Sequence, residues 1–208
     1  MDINQAELGR KLASDDGGTQ MRCLDDVAAF VKAGGVLSEP MKNALMACLT
    51  SSEHRYFVAE RLAAMAGQLV GELRHLLASD VLPDVKFSAS LLLLCANVRD
   101  GVPMLLDAVR FRSESRYLIA ARLLAEAGDK SVIPSIMGSI RDLAADGKKL
   151  QHKDSDAIAA LIDCLQYLGV SLPPKLFEKL SAEDAPWQIR AALGFAIDRE
   201  KIFGPRNS

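Results

Sequence analysis

The sequence predicts an all-α chain, a solenoid of stacked helical hairpins, and three observations carry that prediction. The first is an internal repeat. Ser52-Glu53-His54-Arg55-Tyr56-Phe57-Val58-Ala59-Glu60-Arg61-Leu62-Ala63-Ala64-Met65-Ala66-Gly67 is echoed at Ser113-Glu114-Ser115-Arg116-Tyr117-Leu118-Ile119-Ala120-Ala121-Arg122-Leu123-Leu124-Ala125-Glu126-Ala127-Gly128, 61 residues on, with ten of sixteen positions identical. A recurring helical unit of this kind cannot bury its apolar face alone, so neighbouring copies must stack. The second is composition. Half of the residues are hydrophobic but only 5% are aromatic, while Ala and Leu abound; these residues favour helices over strands. The third is punctuation: caps and breakers recur at the spacing of short helices.

Taken in order, the first helix runs from about Ile3 to Ala13 and stops at Ser14-Asp15-Asp16-Gly17-Gly18. The second spans Thr19 to Ala33, closed by Gly34-Gly35. Ser38 is placed to cap a third helix, with Pro40 in its first turn and an end near Leu49. The fourth, Ser52 to Ala66, is the first repeat copy, and Gly67 fits its C-terminal cap. A fifth covers Leu69 to Ala78, a sixth Asp84 to Val98 and a seventh Val102 to Val109. The eighth, Ser113 to Ala127, is the second copy, closed by Gly128-Asp129. The ninth, Val132 to Ala145, carries Pro134 in its first turn. Asp146 to Lys153 is a polar insertion. The tenth helix runs from Asp154 to Leu168, the eleventh from Pro173-Pro174 to Leu180, and the twelfth from Pro186 to Asp198. Residues 1–50 read as an N-terminal helical cap of the same domain, 51–198 as repeats and 199–208 as a tail. Short helices and short loops predict antiparallel neighbours.

Composition also excludes function classes. A net charge of −2 gives no excess of positive charge for gripping phosphate backbones. Cys23, Cys48, Cys95 and Cys164 lie far apart, each in an apolar helical run. They read as buried reduced thiols and imply a reducing compartment. The polar, acidic start Met1-Asp2-Ile3-Asn4 does not read as a signal peptide, and Leu91 to Ala96 is too short to span a bilayer. The expectation is a soluble, cytoplasmic protein.

Ser113-Glu114-Ser115-Arg116-Tyr117, with Ala120, Leu123, Ala127-Gly128-Asp129 and Val132-Ile133-Pro134, resembles a HEAT repeat of the short bacterial type. Asp84-Val85-Lys86 with Asp100-Gly101-Val102-Pro103 is a weaker copy, and Pro186-Trp187-Gln188-Ile189-Arg190 a final half-copy. The resemblance covers residues 51–198. It implies a right-handed α-α superhelix of HEAT-like (armadillo-like) hairpins and a polar ladder between turns. Arg55, Lys86, Arg116 and Arg190 fall at the family's basic position and Asp129 at its acidic one. The first copy departs from the pattern, since Gln68 rather than Asp follows Gly67.

Tyr56, Phe87 and Tyr117 align and are expected between layers. Arg55 and Arg61, like Arg116 and Arg122, sit six apart and so on different helix faces. One of each pair can serve the ladder. The HEAT resemblance implies that the other, Arg61 or Arg122, lies on the concave wall. With Glu60 and the loop arginines Arg110, Arg112 and Arg116, these are the candidate binding residues. Arginine forks suit carboxylates and phosphates, so the expected partner is an acidic protein, bound without catalysis and without a cofactor. The opposing reading is a surface paired within the chain, with Glu53, Glu60, Asp107 and Glu114 as available acids. His54, His75 and His152 lack companions at metal-ligand spacing, and there is no nucleophile elbow, Walker loop or dinucleotide fingerprint. No catalytic or metal residue is therefore assigned. The leading function is a protein-binding scaffold or adaptor. An immunity or inhibitor protein is an alternative within that class. A HEAT-like DNA-alkylation glycosylase, with Trp187 and Asp184 as nearest candidates, or a chromophore lyase is the contrasting one. Oligomeric state stays open.

Overall fold

The computed structural model describes residues 3–14, 16–52, 55–112, 116–145 and 152–194. Among these residues there are twelve α-helices, three short 3-10 turns and no strand. The chain forms two compact units, Met1–Met104 and Leu105–Ser208.

In the first unit, Asn4 caps α1 (Gln5–Leu12) by accepting from the Glu7 N–H. Asp16 caps α2 (Gly17–Lys32), accepting from the N–H groups of Gly18 and Thr19. That cap draws Gly17-Gly18 into the first turn, so α2 starts two residues before the predicted Thr19. Ser38 stands at the N-cap of α3 (Glu39–Ser51), but its hydroxyl makes no cap bond. Its N–H instead donates to Gln5 Oε1 at 2.8 Å. α4 is shorter than predicted, Arg55–Leu62, and tightens into a 3-10 turn over Ala63–Gln68 before α5 (Val70–Ala78). Gly67 is thus no left-handed cap; it lies inside the turn without positive φ. The turn keeps Met65 and Ala66 buried and lets the Gln68 amide reach back. Gln68 Oε1 accepts from the Leu37 N–H, and its Nε2 donates to the Gly35 carbonyl, both at 2.8 Å.

α6 (Pro83–Cys95) is the centre of this unit, with every residue from Phe87 to Leu94 buried. It packs on α4, α5 and the 3-10 turn at Arg99–Gly101. Asn97 takes a left-handed φ of 59° and the Val98 N–H bonds back to Leu93, which ends the helix before the predicted Val98. Gly101 crosses Ser90 so closely that a Cβ there would lie 2.5 Å from the Ser90 Cα. The buried Ser90 therefore serves as a small residue at a close approach. Next-but-one helices pack together: α1 on α3, α2 on α4, α3 on α5 and α4 on α6. Leu24, Leu45, Leu62 and Leu73 are fully enclosed between them.

α7 (Val102–Arg110) leads into the second unit. There α8 (Arg116–Glu126) ends on Gly128, whose φ is +68°, with the Asp129 N–H bonded to the Leu124 carbonyl. This is the predicted cap. Asp129 then caps a 3-10 turn, Lys130–Val132, by accepting from the Ser131 N–H at 3.0 Å. α9 (Ile133–Leu143) carries Pro134 in its first turn. Of the predicted insertion, residues 146–151 lie outside the described residues, while His152 and Lys153 already belong to α10 (His152–Tyr167). α11 (Pro174–Leu180) and α12 (Trp187–Ala192) follow. α12 stops short of the predicted Asp198, because Gly194 turns the chain with φ +83°; residues 195–198 lie outside the described ones. α10 is the hub of this unit and packs on α8, α9 and α12 through Ile158, Leu161, Ile162 and Leu165.

Candidate functional site

The same face of the repeated helix walls an open cleft in each unit. In the first unit, Phe57 and Arg61 of α4 face Gly17, Gly18 and Met21 of α2 across a cleft of about 380 Å³. In the second, Leu118, Ile119, Arg122, Ala125 and Glu126 of α8 face Ala160, Asp163, Cys164 and Tyr167 of α10 across about 570 Å³. Phe57 and Leu118 are repeat equivalents, as are Arg61 and Arg122. On α10 the lining residues fall at i, i+3, i+4 and i+7, one stripe of a helix. The wall keeps large apolar groups in solvent: Phe57 is 59% exposed, Ile119 39% and Tyr167 68%.

The arginines meet carboxylates of the chain itself. Arg61 Nε lies 3.1 Å from Asp25 Oδ1 of α2, and its Nη1 donates to the Phe57 carbonyl at 3.3 Å. Arg122 Nε donates to Glu126 Oε1 at 2.8 Å, one turn along its own helix. Neither acid is among those that sequence reasoning considered. Asp25 comes from a helix distant in sequence, and Glu126 stands where the first copy has Met65. Asp163, on the opposite wall, has no ion-pair or hydrogen-bond partner among the described residues, and partial desolvation pushes its carboxyl above the usual range. Cys164 beside it is pushed up to about 11 by burial, so its thiol is not a nucleophile near neutral pH.

The other candidates do not join these clefts. Glu60 is exposed on α4. Arg110 lies over the Phe111 ring at 5.4 Å, and Arg112, at a left-handed φ of 49°, has Nη2 3.9 Å from Asp142 Oδ2. Arg116 is half-buried at the start of α8. Of the ladder positions, Arg55 closes the C-terminus of α3, donating to the Leu49 and Thr50 carbonyls at 3.0 Å, with Nη1 4.0 Å from Asp84 Oδ2. Arg190 donates to the Glu183 carbonyl at 3.1 Å. Phe87 is buried and meets Tyr56 edge-on at 6.4 Å between ring centres; Tyr117 is half-buried. Tyr56 itself is 41% exposed.

Cys23, Cys48 and Cys164 are buried, whereas Cys95 is exposed. It ends α6 one position past the buried run Leu91 to Leu94 and points off the core. Asp184 is exposed before α12 and Trp187 half-buried at its start. Glu53, His54 and Glu114 lie outside the described residues. Among the described residues no three His, Cys, Asp or Glu side chains gather as a metal site, and no helix is long and apolar enough to cross a membrane. No model of a known protein family matches the chain, and neither a curated protein nor a solved structure resembles it significantly.

Proposed function

We propose that this chain is a non-catalytic protein-binding scaffold, a HEAT-like array of helical hairpins that holds a partner in the clefts beside its repeated helices. One observation carries the reading: the same helix face, in two copies 61 residues apart, walls an open cleft with solvent-exposed apolar anchors. A packing requirement explains why the repeat conserves its inner positions, but not why both copies leave large apolar groups at the cleft wall. Next-but-one packing within each unit supports the stacked-hairpin arrangement. Exposed aromatic and aliphatic anchors beside charged groups are what a protein interface uses for most of its binding energy.

The test is capture of the native partner by the immobilised chain, identification by mass spectrometry, and reconstitution from two purified components. Phe57→Ser and Ile119→Ser each remove one anchor from an exposed position, so the melting temperature should hold. At least one of them should weaken the reconstituted complex tenfold or more. Unchanged affinity in both variants would sink the cleft reading. An adaptor and an inhibitor are separated in the same experiment by whether the captured partner keeps its own activity while bound.

A further inference from the structure

We infer that the α8–α10 cleft takes a partner segment that presents one basic side chain, lysine or arginine, between apolar ones. This rests on the scaffold reading but reverses the sign of charge that the arginines alone suggest.

The reversal comes from how the carboxylates are shared. In the first unit the arginine of the repeat reaches across to the neighbouring helix, and Arg61 and Asp25 neutralise each other over the α2–α4 cleft. In the second, the repeat has Glu126 where the first copy has Met65. Glu126 sits one turn beyond Arg122 and holds its Nε at 2.8 Å. The arginine is therefore satisfied on its own helix. Asp163 on α10 is left without a cationic partner among the described residues, at the edge of a cleft otherwise walled by Leu118, Ile119, Ala160 and Tyr167. With Arg122 and Glu126 cancelling, the lining carries one net negative charge.

A carboxylate in such a setting favours a cation. Asp163 is exposed at the cleft edge with only partial desolvation, so an incoming ammonium or guanidinium gains a modest amount from it, and the apolar contacts beside it supply the rest. Tyr167 lies one turn beyond Asp163 on the same face and is 68% exposed. Its ring offers a π-face to the same cation. Ile119 on the facing helix supplies the apolar contact that a flanking Leu, Ile or Met would cover. An acidic segment would meet the opposite situation, with Asp163 repelling it and Arg122 already engaged.

The test pans the full chain against a displayed library of random twelve-residue peptides and remeasures the selected peptides by fluorescence anisotropy. The expected winners carry Lys or Arg flanked by aliphatic residues, and Ile119→Ser reduces their binding. Asp163→Asn should weaken a lysine peptide roughly three- to tenfold, while the same peptide with Gln for Lys is unaffected. Glu126→Met, which installs the first copy's residue, should produce the same loss by releasing Arg122 toward Asp163. Circular dichroism and melting temperature confirm that both variants fold. Selection of acidic or wholly apolar peptides, absence of any enrichment, or a lysine preference that survives Asp163→Asn overturns the inference. If the native partner still depends on Ile119 while no basic peptide is selected, the scaffold reading stands and this one falls.

Discussion

Replacing Gln68 with leucine removes an amide that joins two segments 31 residues apart in sequence. Its carbonyl accepts from the Leu37 N–H and its amino group donates to the Gly35 carbonyl, both at 2.8 Å. Leucine keeps the volume but offers neither bond. Leu37 is only 3% exposed, so its N–H would be left without a partner in a place that water reaches poorly. A stranded donor of that kind costs about 1–3 kcal/mol, and the half-exposed Gly35 carbonyl adds about 0.5–1 after resolvation. The sum is about 1.5–4 kcal/mol, which for a chain of this length lowers the melting temperature by roughly 3–16 °C.

Gln5 supplies an internal control, because it clamps the same loop from the other side. Its Nε2 donates to the Val36 carbonyl at 3.0 Å and its Oε1 accepts from the Ser38 N–H, but both bonds are exposed to water. Gln5→Leu should therefore cost less than about 1 kcal/mol. Urea titration and differential scanning calorimetry give both values, and hydrogen exchange should show the Leu37 amide exposed early in Gln68→Leu. A loss below about 0.5 kcal/mol for Gln68→Leu, or an equal loss for Gln5→Leu, would refute the assignment of the loop's rigidity to the part-buried Gln68 amide.

Two further outcomes follow from the packing. Gly101→Ala should destabilise the first unit by at least about 2 kcal/mol, since the new methyl meets the Ser90 Cα at 2.5 Å and backbone cannot step aside as a side chain can; a neutral result in denaturant titration would show that the 99–101 turn shifts freely. A disulfide-exchange reagent at pH 8 should label Cys95 quickly in the native protein and Cys23, Cys48 and Cys164 only on unfolding. Burial lifts the Cys164 thiol from its ordinary 9.0 to about 11, so the folded state holds this proton more tightly than the unfolded one. Its contribution to stability is intact below pH 9 and is lost as the pH rises toward 11. Cys164→Ala should flatten that part of the pH–stability curve, and an unchanged slope would assign it to other groups.

Much of the helical layout was legible in the residues, because its causes are local. Pro40 and Pro134 in first turns, Gly34 and Gly128 at positive φ, and the apolar spacing of α10 each act within a few positions of themselves. The misreadings occurred where a distant group intervened. Gly67 reads as a cap by analogy with Gly128, yet a 3-10 turn forms instead, held by Gln68 bonding to the loop before α3, two helices earlier in the chain. Ser38 does stand at the N-cap of α3, but its hydroxyl makes no cap bond there. Cys95 reads as buried because it follows four leucines, but burial is set by what packs on α6, and the last position of that helix is exposed.

The candidate site divides in the same way. The repeat pairs Arg61 with Arg122, and the HEAT resemblance sets them apart from Arg55 and Arg116. It does not say which acid each arginine meets. That choice depends on which helix lies alongside: α2 brings Asp25 to Arg61, and α10 brings Asp163 opposite Arg122, whose charge Glu126 has already engaged. By itself the sequence determined the helices, most of their stops and the duplicated face, since backbone hydrogen bonding and side-chain periodicity act over one or two turns. Only the tertiary structure decided which carboxylate is neutralised and which is left over, because electrostatic pairing acts between groups that packing brings together from remote parts of the chain.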